Sequence, residues 1–272
     1  MKDEIRIGSL FSGIGGIELG FERTKGYRTE WFVENEPYAR EILKKRFPDT
    51  TIYGDITELD FRKVPGIDIL TGGFPCQDIS NAGKRAGIKG SRSGLWSYYL
   101  EAIRVLRPKF TLIENVSVLI NRGLDVVLSD LASVGYDAEW YNISASSVGA
   151  PHKRERVFII SYPKLCGCLH GQLKEQSTEA RKYAQRDTCS SSTNVSDTYG
   201  QRLERKHKEK QGSRKSKMSP GWRGQWATEP KLGRVANGVP NRVDRIKCLG
   251  NAVVPQVAEV FAEAIKEKFV MC

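Results

Sequence analysis

A chain of 272 residues is long enough for one large domain, or a domain with a smaller appendage, around a substantial core. Its 43 Lys and Arg against 32 Asp and Glu leave a net charge of +11, which points to a polyanionic partner, nucleic acid first, although a generally basic solubilising surface would carry the same charge. Six unpatterned cysteines and the charged start MKDEIRIG argue against a disulfide scaffold and a signal peptide, and no apolar run approaches the ~20 residues needed to cross a bilayer. The expectation is a reduced, cytoplasmic protein with no membrane partner.

From residue 5 to about 162, short apolar runs alternate with amphipathic stretches, the signature of α/β units on a parallel sheet. Strands are predicted over 6–11, 29–33, 68–72, 110–114, 138–144 and 156–161, and helices over 16–23, 37–47, 95–107 and 123–134. The first strand runs into SLFSGIGGIELGF, where Gly13, Gly15 and Gly16 leave space for a ligand against the backbone and the helix amino end. The segment has no G-x-G-x-x-G spacing and the chain no P-loop, which disfavours a dinucleotide or a triphosphate. Glu34 follows WFV and Asp55 sits in YGDIT. Either alone reads as a loop carboxylate or a helix cap. Together with the glycine turn they suit the ribose hydroxyls and amino group of an adenosine-containing cofactor.

The run IDILTGG has the length and β-branched content of a buried strand, and GGFPCQDIS follows it. Pro75 fixes its own φ and pushes Phe74 toward extended geometry, so Cys76 is carried on a stiff turn. Cys76 reads as a nucleophile; a buried structural cysteine is the plainer reading of the residue type alone. The strand FTLIE ends in Glu114 on the same sheet edge, where a buried carboxyl can stay protonated or share a proton with a heterocycle. HKRERVFII leads Arg154 and Arg156 into another strand, where residues two apart face the same way and both can meet an anion or a base. A solvated R-x-R pair is the simpler alternative.

Beyond Tyr162 the composition turns to Ser, Thr, Gln, Lys and Arg, too polar to build a core as far as about Gly221. Cys166, Cys168, His170 and Cys189 match no standard zinc spacing, and no metal is expected. Trp222, Arg223 and Trp226 interleave aromatic and basic side chains that suit stacking and phosphate contact, or anchoring to the main domain. Past Pro255, Val257, Val260, Phe261, Ile265 and Phe269 have helical spacing, which predicts a C-terminal helix over 253–270 packed on the first domain.

The ordered set FSGIGG, VENE, GDIT, GGFPCQ, ENV, HKRERV and LGNAVVPQV resembles the DNA (cytosine-5) methyltransferases, across nearly the whole chain. The stretch WATEPKLGRVANGVPNRVDRIKCLGNAV looks like that of phage or prophage members. The resemblance implies a Rossmann-like α/β fold dependent on S-adenosyl-L-methionine, with a small target-recognition region. Residues 1–162 would form the catalytic and cofactor-binding domain, completed by a C-terminal helix over 246–272, and 163–245 the basic recognition region. The partner would be double-stranded DNA, the enzyme monomeric, and its setting restriction–modification or phage.

By the same resemblance, Cys76 would attack carbon 6 of a flipped-out cytosine and Glu114 would contact its ring nitrogen and exocyclic amine. Arg154 and Arg156 would hold the base and the catalytic loop. Phe11, Gly13, Gly15, Glu34, Asp55, Ile56, Pro75, Leu95 and Asn251 would line the cofactor pocket, with Phe11 near the adenine, Glu34 on the ribose and Asp55 on the adenine amino group. The loop AGKRAGIKGSRSGL would close over DNA phosphates. One position departs from the family: His152 stands where the arginine motif usually begins with Gln. Two alternatives stay open, an RNA methyltransferase with the same catalytic set and a catalytically idle nucleic-acid-binding regulator.

Overall fold

A computed structural model describes residues 4–75, 94–164 and 242–269. The described residues form one seven-stranded sheet: β1 (Ile5–Leu10), β2 (Tyr27–Val33), β3 (Thr51–Tyr53), β4 (Ile69–Gly72), β5 (Phe110–Val116), β6 (Tyr136–Ser144) and β7 (Glu155–Pro163). The helices are α1 (Gly16–Arg23), α2 (Pro37–Arg46), α3 (Leu95–Leu106), α4 (Leu119–Arg122), α5 (Leu124–Ser133), α6 (Arg242–Asn251) and α7 (Pro255–Phe269). The strand order is β3-β2-β1-β4-β5-β7-β6.

The sheet is mixed rather than parallel throughout, which corrects the sequence reading. The first five strands of that order run parallel, whereas β7 runs antiparallel to both β5 and β6. The cause is the connection after β6: a 3-10 turn at Ala145–Val148 and a short loop reverse the chain where a parallel neighbour would need a crossover of a dozen residues or more. β7 is buried on both faces, so its apolar run VFII reads alike in either direction. β3, three partly exposed residues, is too short to leave a period in the sequence.

Helices cover both faces. Leu70, Ile113, Val157 and Ile159 point to the side of α3 and α5, where Trp96, Tyr99, Ile103, Val127 and Leu131 meet them. Ile7, Leu112, Phe158 and Ile160 point to the opposite side, against Ile17 and Phe21 of α1 and Val257, Phe261 and Ile265 of α7. The alternation within β7 assigns successive residues to opposite cores, as the pleat requires.

The C-terminal segment comprises two helices where one was predicted. α6 ends at Asn251, and α7 begins at Pro255, a residue suited to a first helical turn. The stretch Val243–Phe269 has a mean hydropathy of 1.2 over its most apolar window and is long enough to cross a membrane. It is broken between the helices, however, and α7 packs into the second core through Val257, Phe261 and Ile265. The contact with α1 is close: a Cβ at Gly16 would lie 2.5 Å from the Val253 carbonyl oxygen. Tyr27 Oη donates to the Ala262 carbonyl at 2.6 Å.

Much of the proposed recognition region, the loop that begins at Ala82, Cys76, Trp222, Arg223, Trp226 and the four zinc-like residues lie outside the described residues.

Candidate active site

A cleft of about 920 Å³ opens along the carboxyl ends of β1, β2, β4 and β5, with α6 as its further wall. It crosses the sheet from Asp55 beyond β2 to Glu114 at the end of β5.

At the β2 end, Glu34 follows the strand with a partly buried carboxylate. Its Oε2 accepts from Gly13 N–H at 2.7 Å and its Oε1 from Glu36 N–H at 2.8 Å. Burial raises its pKa, and these hydrogen bonds oppose the rise. Gly13 has φ +55°, a left-handed conformation that suits glycine, and a Cβ there would meet nothing within 4 Å. Phe11 also has positive φ, 52°, at the strand-to-turn bend beside the cleft. Such a conformation costs a bulky residue on the order of 1 kcal/mol or more.

Asp55 caps the 3-10 turn Ile56–Glu58: one carboxylate oxygen accepts from Thr57 N–H and from its hydroxyl, both at 2.8 Å. These bonds hold its pKa below the ordinary value. The other oxygen faces Asn35 Nδ2 at 3.4 Å. Asp55 therefore serves as a cap and also lines the cleft.

At the β5 end, Arg156 Nε lies 3.0 Å from Glu114 Oε1. Burial pushes the Glu114 carboxyl up to about 7, while Arg156 and then Arg154 pull it down. Glu114 stands against the end of β4, where a Cβ on Gly73 would lie 2.5 Å from Glu114 Oε2. Any larger residue would displace the carboxyl. The buried Asn115 turns back, and its Nδ2 donates to the Phe74 carbonyl at 3.1 Å. The turn at Phe74 and Pro75, which leads directly to Cys76, is thus tied to the strand bearing Glu114.

The cleft gathers Phe11, Gly13, Glu34, Asp55, Ile56, Pro75, Leu95, Glu114, Arg156 and Asn251 from distant parts of the sequence. Gly15 is not in its wall. A Cβ there would lie 2.7 Å from the Phe47 ring, so this glycine and Gly16 make room for protein rather than ligand. Arg154 is not in the wall either, and it does not share a strand face with Arg156. It precedes β7 with φ 38°, and its guanidinium donates to the carbonyls of Gly250, at 2.8 Å, and Ala252, which flank Asn251. His152 is exposed and outside the cleft.

Sequence reasoning missed Glu18, Glu36, Asn115, Lys247 and Cys248. Lys247 pairs with Glu36 across the cleft mouth, and Cys248 is buried in the wall behind it. Asn115 was legible only as a neighbour of Glu114 in ENV. The helical spacing that puts Lys247, Cys248 and Asn251 on one side of α6 follows a long polar stretch that masks it.

The family described as C-5 cytosine-specific DNA methylase matches residues 5–232. The chain belongs to that family. Among similar proteins, the type II methyltransferase M2.BsuMI of Bacillus subtilis (strain 168) is 42% identical over 165 residues, 58% of this chain and 42% of that protein. The type II methyltransferase M.NlaIV of Neisseria lactamica is 35% identical over 172 residues, 57% of this chain and 41% of that one. The chain thus spans less than half the length of these curated relatives.

Two solved structures support the methyltransferase fold. One, described as a DNA modification methyltransferase encoded within an E. coli prophage, has a TM-score of 0.51 at 27% identity and covers 59% of this chain and 47% of its own. The methyltransferase EhMeth of Entamoeba histolytica has a TM-score of 0.52 at 19% identity, covering 59% and 53%, and shows the fold alone. The Rossmann-like methyltransferase architecture expected from the resemblance is the one observed, with β7 reversed.

Proposed function

We propose that this family member methylates carbon 5 of a cytosine in a specific duplex DNA site, using S-adenosyl-L-methionine and a covalent bond from Cys76. The observation that carries this reading is the partly buried Glu114–Arg156 pair beside the turn that leads into Cys76, at one end of a cleft whose other end holds Glu34 and Gly13.

The residues present fit the cofactor. Gly13 leaves open space where a side chain would stand, and each Glu34 oxygen, after one backbone bond, keeps a lone pair for a ribose hydroxyl. Phe11 and Ile56 offer apolar surface to a heterocycle, and Asp55 Oδ2, which accepts from Asn35 Nδ2 at 3.4 Å, keeps a second lone pair for its amino group. Pro75, Leu95 and Asn251 complete the wall. When bound, the cofactor supplies an electrophilic methyl group.

The protein's part is to make cytosine nucleophilic. The base leaves the stack and enters the Glu114 end of the cleft. Cys76 thiolate forms a bond to carbon 6, the 5,6 double bond opens, and its electrons become available at carbon 5. A protonated Glu114 donates to the ring nitrogen as negative charge gathers there and accepts from the exocyclic amine. Arg156 fixes the orientation of that carboxyl. Once carbon 5 carries the methyl, its proton leaves, the double bond re-forms and the thiolate departs. The net charge of +11 suits the phosphate backbone.

The test is to incubate purified protein with tritiated S-adenosylmethionine and unmethylated genomic DNA, beside total tRNA and a Cys76→Ala control, then digest to nucleosides. Label in 5-methyl-deoxycytidine, absent from the control, is expected. Label confined to RNA, or none, overturns the reading.

A further inference from the structure

The floor of the cleft holds a carboxyl that the chemistry above leaves unused. Glu18, in the first turn of α1, is 1% exposed yet lines the cleft. Its Oε1 accepts from Thr71 Oγ1 of β4 at 2.6 Å. Ser9 of β1, directly opposite Thr71 in the ladder, lies on the same side of the cleft floor and donates its hydroxyl to Ser12 Oγ at 2.8 Å. From α3 the Tyr99 hydroxyl faces Glu18, fully buried and without a hydrogen-bond partner. Glu22, one turn further along α1, is the other charged group that acts on it.

The position of Glu18 in the strand order decides its meaning. Glu34 follows β2 and Glu114 lies two residues before the end of β5, and between them lie β1 and β4, whose Thr71 holds Glu18. A cofactor with its ribose on Glu34 and its methyl directed to a base on Glu114 must lay its sulfur over β1 and β4. That sulfur carries a full positive charge before transfer and none after it.

We propose that Glu18 is the residue that discriminates the sulfonium cofactor from its neutral thioether product, S-adenosylhomocysteine, by placing one buried negative charge under the sulfur. This inference rests on the functional reading above. A carboxylate that attracts only the charged form favours donor over product, and so promotes product release after each transfer. In a water-poor floor such an attraction is far stronger than at a surface. Burial raises the Glu18 pKa above its ordinary value, and the hydrogen bond from Thr71 opposes part of that rise. Burial is the larger effect, so the attraction strengthens as the carboxyl gives up its proton with rising pH.

The test is calorimetric binding of S-adenosylmethionine and S-adenosylhomocysteine to the full chain, in the unmodified protein and in Glu18→Gln. The two ligands share every other group, so their affinity ratio reads the sulfonium alone. The expected result is a loss of about tenfold in the preference for the sulfonium form in Glu18→Gln, with product affinity within about twofold of the parent. The preference should rise with pH in the parent and stay flat in the variant. Thr71→Val, which removes a bond that lowers the pKa, should move that rise to higher pH. Equal weakening of both ligands, or an unchanged ratio, overturns the inference and leaves Glu18 a structural buried acid. If the unmodified chain binds neither ligand, the proposed cofactor falls as well.

Discussion

Asn115 Nδ2 donates to the Phe74 carbonyl at 3.1 Å, so the strand that bears the Glu114 carboxyl also holds the turn that leads to Cys76. The Asn115 carbonyl oxygen is engaged as well, accepting from Val116 N–H at 2.8 Å. The side chain thus clamps two backbones with both of its polar atoms.

Asn115→Ala should remove the hydrogen bond from Asn115 that ties the Phe74 turn to β5, a loss of about 1–3 kcal/mol at the turn. The expected outcome is a fall of roughly 10- to 100-fold in single-turnover methylation, with S-adenosylmethionine affinity nearly unchanged. Trapping of a duplex carrying 5-fluorocytosine should slow in parallel. A drop in cofactor affinity equal to the drop in rate would contradict a role confined to the nucleophile's turn.

The Glu114 carboxyl carries its own pH signature. With its pKa at about 7, the proton is present below that value and is lost as pH rises through it. The pH profile of kcat/KM should therefore fall on its alkaline side through a limb near 7. Arg156→Gln removes the strongest counterweight to burial, so the limb should move above 7, and Glu114→Gln should have none. The folded chain also holds more protons than the unfolded chain between the ordinary carboxyl value of 4.5 and about 7, so this group makes stability decline across that window as pH rises.

Arg154 ties the entry of β7 to the two carbonyls that flank Asn251. Its loss should loosen the cofactor wall rather than the base pocket. For Arg154→Ala the expected result is an S-adenosylmethionine Kd raised about tenfold by calorimetry, with adduct trapping preserved at saturating cofactor.

Phe261 stands where α7 meets Phe158 of β7, their rings 4.8 Å apart, and is 4% exposed. Phe261→Ala should cost about 3–5 kcal/mol in chemical denaturation, since the sheet beneath cannot close the void.

The α/β class and the place of several candidate residues near strand ends were both legible in the sequence. Residues whose chemistry is local, such as Glu114 at a strand end and Pro75 in its turn, announce themselves by type and position. The glycines of FSGIGG do not, because the sequence records that a side chain is excluded but not by what. Gly13 faces open space, while Gly15 meets Phe47 and Gly16 meets Val253, contacts set by residues far along the chain. The R-x-R reading failed for a related reason: Arg154 lies one residue before β7 begins, and its positive φ removes it from the strand's alternation. Glu18 was invisible because an acidic residue in a first helical turn is ordinary; only the packing of Thr71 against it makes it notable.

The reversal of β7 also fixes where its two ends lie. Its first residues sit beside the end of β5, where Val116 pairs with Arg156, and its last sit beside the start of β5, where Thr111 pairs with Ser161. The chain therefore leaves the sheet at the edge away from the cleft and re-enters the described structure at α6, on the cleft itself. A nine-residue strand spans about 30 Å. The reversal thus puts the two ends of this one strand at opposite edges of the sheet: Arg156 comes to the cleft beside Glu114, and Lys164 is carried to the far edge.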